Sequence, residues 1–177
     1  MALASSRPSF ATPQAVARAG ASTTPTGNVD MYGLLLLLHL LAATIWTGGH
    51  IVLSIVVLPR ALRERSPEQL LQFESGYEKI GMPALIIQII TGLILAYRML
   101  PDFGQWLNFS NPITHVLAMK FILLALTIGF AVDAKFRVIP HLSDKNLVTM
   151  AWHIVPVTIF SVLFVVAGIS FRTGWVY

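Results

Sequence analysis

Four apolar runs follow one another along the chain, at about 32–58, 82–97, 113–132 and 150–171, each near the length needed to cross a bilayer. The first, from Tyr32 to Leu58, contains no Asp, Glu, Lys or Arg. The second, Met82 to Tyr97, is the shortest, and Arg98 extends it by snorkelling to the interface. Pro59 is expected to close the first run and Pro112 to open the third. Between the first two, Ser66-Pro67-Glu68-Gln69 resembles a capping box, and Leu62, Leu70, Leu71, Phe73 and Tyr77 predict a short interfacial helix. The pattern therefore predicts an all-α integral membrane four-helix bundle over residues 31–177. A tail, residues 1–30, precedes it, almost without acidic side chains and rich in Ala, Ser, Thr and Pro, expected to be flexible or docked on a partner.

Composition agrees with the pattern: 55% of residues are hydrophobic and 11% charged, far from the balance of a soluble domain. The absence of cysteine excludes disulfides, thiolate metal sites, iron–sulfur clusters and covalently attached c-type haem. The net charge of +4 comes without a basic stripe or an aromatic nucleic-acid motif, so no nucleic-acid partner is expected. Lys and Arg collect beside the apolar runs instead. Arg60, Arg63, Arg65 and Lys79 lie in the first loop and Lys135, Arg137 and Lys145 in the third, against Arg7, Arg18, Arg98 and Arg172 on the other side. The positive-inside rule then puts those two loops in the cytoplasm and both termini outside it, as in a bacterial inner membrane.

The chemistry of the chain lies in its histidines. His39, Trp46 and His50 are seven and four residues apart, so they share one stripe of the first helix, with roughly 16 Å between the two imidazoles along the axis. Polar side chains at that depth are costly and usually functional. Depth along the four runs sorts the histidines into an outer pair, His39 with His115, and an inner pair, His50 with His153, while Lys120 lies at about the depth of His39. Histidines on facing helices are the ligand set of a b-type haem, and a four-helix bundle is a common container for one. Gly48 and Gly49 offer room for a macrocycle beside His50, Trp46 can pack on its edge, and Arg98 can pair with a propionate.

These same stretches resemble the CopD superfamily of small membrane proteins, which takes in the HemJ-type protoporphyrinogen oxidases. The likeness lies in Leu-His-Leu-Leu-Ala-Ala-Thr-Ile-Trp-Thr-Gly-Gly (38–49), Met-Pro-Ala-Leu-Ile-Ile-Gln-Ile-Ile-Thr-Gly-Leu (82–93), and Lys120 with its helix into Arg137-Val-Ile-Pro (137–140). HemJ-like members imply haem b dependent on the histidine here numbered 39 and the lysine here numbered 120. CopD-like members imply copper handling by the same histidines. The chain departs from the HemJ pattern in its third run, where His115 precedes Lys120 by five residues, and in carrying His50.

The expectation is thus a di-haem b-type protein, one haem at the outer and one at the inner histidine pair, carrying electrons across or within the membrane; loss of the inner site would leave a single haem. Its partners would be the lipid bilayer and a quinone or a redox membrane complex, with oligomerisation open, and a haem-dependent oxidoreductase activity is compatible with it. His39, His50, His115 and His153 are its candidate metal ligands. The alternatives are a copper transport or copper-handling protein and a structural subunit of a larger complex. Nitrogen donors without cysteine favour haem over a copper(I) path, which needs soft sulfur ligands.

Overall fold

The computed structural model describes residues 26–107 and 112–175. Its first helix, α1 (Thr26–Val52), passes through a widened π turn at Leu53–Val57 into α2 (Leu58–Glu64). A tight corner leads to α3 (Pro67–Met99). After a 3₁₀ turn at Phe103–Leu107 comes α4 (Pro112–Asp133), extended by a second π turn (Ala134–Val138) and a 3₁₀ turn (Ile139–His141), and then α5 (Leu147–Thr173). Among the described residues there is no strand, and four helical rods are long and apolar enough to cross a membrane. The chain is an all-α integral membrane protein. Residues 26–34, the opening of α1, are the described part of a separate compact unit, exposed from Asp30 to Leu34. The rest of the expected tail, with Arg7 and Arg18, lies outside the described residues.

Pro59 does not end the first rod, which continues to Glu64. A proline ring collides with the carbonyl four residues earlier, here Ile55, and offers that carbonyl no N–H. Widening the helix by one residue per turn across Leu53–Val57 absorbs the conflict without breaking the rod. The device is repeated before Pro140, where the π turn at Ala134–Val138 surrounds Phe136. Pro112 does open its helix, at the position where its missing N–H costs nothing.

The expected short interfacial helix also merges with its neighbour. Residues 67–99 form one helix of about 50 Å. The reason is packing: Leu70, 1% exposed, and Phe73 join the core formed by Leu53, Leu58, Ala61, Val138, Leu147, Met150 and Ile154, so this segment cannot lie flat on a membrane surface. Ser66 stands at the N-cap, but its hydroxyl donates to the Glu68 carboxylate at 2.7 Å instead of completing a capping box. Lys135 adds ion pairs to Glu78 at 2.6 Å and Glu74 at 3.7 Å.

Outside this core, buried polar positions other than His50 are small: Thr91, Thr114, Thr127, Ser161 and Ser170 are all nearly inaccessible. Ser161 and Ser170 return their hydroxyls to carbonyls of their own helix, at 2.7 and 2.9 Å, which lets neighbouring helices approach closely without stranding a donor. Large apolar side chains such as Ile55, Phe136 and Trp152 point outward, toward lipid.

The corner between α2 and α3 depends on Arg65, the one non-glycine residue of the described chain with positive φ (51°). That left-handed conformation costs an L-residue about 1 kcal/mol. Arg65→Gly is expected to raise stability by up to about 1 kcal/mol, read as a higher thermal unfolding midpoint in detergent; a lowered midpoint would contradict the strain at this corner.

Candidate functional site

His39, on α1, faces α3. Its Nδ1 lies 3.0 Å from the Gln88 carbonyl oxygen and 3.0 Å from Thr91 Oγ1. A carbonyl only accepts, so Nδ1 carries the hydrogen. Thr91 has already given its own hydrogen to the Ile87 carbonyl at 2.6 Å, which leaves its oxygen free to accept from the imidazole. The ring is thereby fixed in tautomer and orientation, and its Nε2 keeps the lone pair. Ligating histidines are commonly held in this way, by a carbonyl or hydroxyl on the nitrogen away from the metal.

Small residues surround this ring. A side chain at Gly92 would bring its Cβ to 3.0 Å from His39 Cε1, so glycine there lets the ring sit where it does, and a larger residue would press it aside by a few tenths of an ångström. Lys120 of α4 reaches the same neighbourhood, near enough for its charge to act on His39. Its Nζ lies 5.1 Å from the centre of the Phe171 ring, and the Gly168 position faces it, a Cβ there being 3.7 Å away. Among the described residues no carboxylate pairs with Lys120. An ammonium on an aromatic face recovers part of its lost hydration through the ring quadrupole, and only part. Two further buried acceptors, Gln88 Oε1 and Thr127 Oγ1, have no hydrogen-bond partner. The His39 site thus couples one fixed nitrogen donor to a cation that has no counter-ion.

His50 is 9% exposed and also turns toward α3, into an aromatic nest. Its Nδ1 donates to the Trp46 carbonyl at 2.9 Å. The Trp46 ring lies 4.3 Å away, centre to centre, and Tyr77 meets it edge-on at 5.7 Å. The Tyr77 hydroxyl donates to the same Trp46 carbonyl at 3.0 Å, and Phe73 stacks on the far side of the Tyr77 ring. This ring fills the gap that Gly49 leaves, and a Cβ at Gly81 would also collide with it, at 2.7 Å. The opening read from the sequence as macrocycle space therefore holds Tyr77, while Gly48 faces open space.

His153 faces another way. Its Nδ1 bonds the Thr149 carbonyl at 2.9 Å, its Nε2 bonds Asp133 Oδ2 at 2.8 Å, and Phe130 meets its ring edge-on. Both nitrogens are committed, so a metal would have to displace Asp133. The structure directs His50 to Tyr77 of α3 and His153 to Asp133 of α4. His115 lies exposed in the first turn of α4, and Arg98 is exposed in the last turn of α3, seven residues beyond Thr91 and on the same stripe. Among the described residues no three His, Asp or Glu side chains converge as a metal cluster. Sequence reasoning missed Thr91, Gln88, Gly92, Gly168, Phe171, Tyr77 and Asp133. The Thr91-Gly92 pair stands out as small and polar within an apolar run, but a helix partner must be known before it gains a role.

The fold and this interior define a four-helix integral membrane protein with polar groups held between its helices. The family model for copper resistance protein D, CopD, matches residues 71–170, more than half of the chain. The chain belongs to the CopD family. The match covers α3, Lys120 and most of α5, with His39 and His50 preceding it. No curated protein and no solved structure matches the chain.

The two neighbouring glycines give a sharp test of the aromatic nest. Gly49→Ala is expected to cost about 1–3 kcal/mol, because the Tyr77 ring cannot yield without losing its hydrogen bond. Gly48→Ala, in open space, should be neutral or slightly stabilising within a helix. Equal thermal midpoints for the two variants would refute this packing.

Proposed function

We propose that this CopD-family protein binds a single haem b at His39 and carries electrons within or across the membrane. The observation behind the reading is the donor set: one fixed imidazole, with no cluster of three His, Asp or Glu side chains among the described residues. A bare copper ion needs several protein donors. A porphyrin brings four nitrogens of its own and asks the protein for one or two axial ligands. When bound, haem b supplies one-electron redox chemistry at its iron. The remaining work falls to the chain.

In this reading Thr91 and the Gln88 carbonyl hold the imidazole so that Nε2 faces the iron, which also makes the ring a more basic ligand. Gly92 and Gly168 keep side-chain bulk out of the space between α1, α3, α4 and α5. Lys120 would gain a counter-charge from a propionate or help to hold the group, and Arg98 would pair with a propionate at the helix end. The occupied gap beside Gly49 and the engaged nitrogens of His153 favour one haem over two. The basic loops, carrying Arg60, Arg63, Lys135 and Arg137, support a topology with those loops in the cytoplasm of a bacterial cell and both termini outside. The family's own description favours a second reading, in which His39 and Lys120 belong to a copper-handling path.

Purified protein is expected to show a Soret band and reducible α bands, with one haem per chain. His39→Ala should abolish both, and Thr91→Val should weaken haem retention by about tenfold or more. Protein that is colourless when produced with ample haem, yet retains copper in a His39-dependent way by elemental analysis, would replace this reading with the second one.

A further inference from the structure

Five residues on one side of α4 and its π turn, Gly129, Val132, Asp133, Phe136 and Arg137, line a groove of about 370 Å³. Their spacing of three, four, seven and eight residues makes a continuous stripe. Gly129 leaves the notch open, since a Cβ there would meet nothing within 4 Å. Val132 and Phe136 are 49% and 73% exposed, on a helix whose surroundings are hydrocarbon. Asp133 and Arg137 stand where the apolar run ends and the charged loop begins, which is the level of lipid headgroups. The groove's neighbour is therefore a lipid, with its chain along Gly129, Val132 and Phe136.

The two charges decide which lipid. Asp133 Oδ1 lies 3.1 Å from Arg137 Nη1, and its Oδ2 accepts from His153. A carboxylate offers about four acceptor positions and a guanidinium five N–H donors. The pair thus retains acceptors on one side and donors on the other, and the Arg137 side chain is 82% exposed. A headgroup of matching polarity carries a phosphate for Arg137 and, two carbons away, a primary ammonium that donates to Asp133. We infer that this groove is a binding site for a phospholipid with a primary-ammonium headgroup, phosphatidylethanolamine. A choline headgroup has no N–H to give, and a glycerol headgroup has no positive charge.

The test is lipid retention by the full-length protein, measured by native mass spectrometry after reconstitution in equimolar phosphatidylethanolamine, phosphatidylcholine and phosphatidylglycerol of identical chains. The expected result is retention of one phosphatidylethanolamine about tenfold over phosphatidylcholine, as one to two charge-assisted hydrogen bonds predict. Asp133→Asn should erase the preference, Arg137→Gln and Gly129→Leu should lower retention of every lipid, and Lys145→Gln, outside the groove, should change nothing. Asp133 also holds His153, so if Asp133→Asn fails to fold, loss of phosphatidylethanolamine retention in Arg137→Gln remains as the deciding measurement. Equal retention of ethanolamine and choline lipids overturns the proposal, as does a preference for phosphatidylglycerol, which Arg137 alone would produce. So does an ethanolamine preference that survives Asp133→Asn, or retention that Arg137→Gln leaves unchanged.

Discussion

A bilayer core offers no water, so every donor and acceptor placed there must find its partner within the protein. This requirement governs the interior of the chain. Nδ1 of His39 goes to α3, Nδ1 of His50 to the carbonyl one turn back, and the Tyr77 hydroxyl across to α1. Thr158 reaches the His50 carbonyl at 3.2 Å and its own Ile154 carbonyl at 2.8 Å. Each bond fixes a rotamer as well as satisfying a buried group. The result is that an imidazole presents one chosen nitrogen, and chemistry depends on which nitrogen is left.

The same requirement explains the contrast among the three intramembrane histidines. Those whose second nitrogen has found an acceptor become structural ties, as His153 does by joining α5 to Asp133 of α4. His50 is closed in by rings on two sides, Trp46 and Tyr77, and it serves packing between α1 and α3. His39 combines a fixed Nδ1 with a glycine neighbour, Gly92, and with a nearby cation, Lys120, that pairs with no carboxylate among the described residues.

Proline contributes length. In both long rods a π turn before the proline lets the helix run past it, so the loop-side ends of the first and third spans pack with Leu70, Leu147 and Met150 instead of fraying at the membrane boundary. That core anchors the helices at one end. The opposite half, with His39, Lys120 and Gly168, is held by small residues and individual hydrogen bonds.

Four apolar runs, an absence of cysteine and a basic first and third loop were enough to point to an all-α membrane protein and to direct attention to His39 and Lys120, because hydrophobicity and helical period are properties of consecutive residues. The stripe carrying His39, Trp46 and His50 was equally legible. What the stripe faces was not. Whether Gly49 makes room for a cofactor or for Tyr77 depends on a ring 28 positions away, and the tie from His153 to Asp133 depends on the rotation of two helices about their axes. Pro59 reads locally as a stop, and only the cost of ending a packed helix beside Leu58 turns it into a π turn, a device repeated before Pro140. Sequence set which groups enter the membrane; tertiary contacts decided which of them keep a free electron pair.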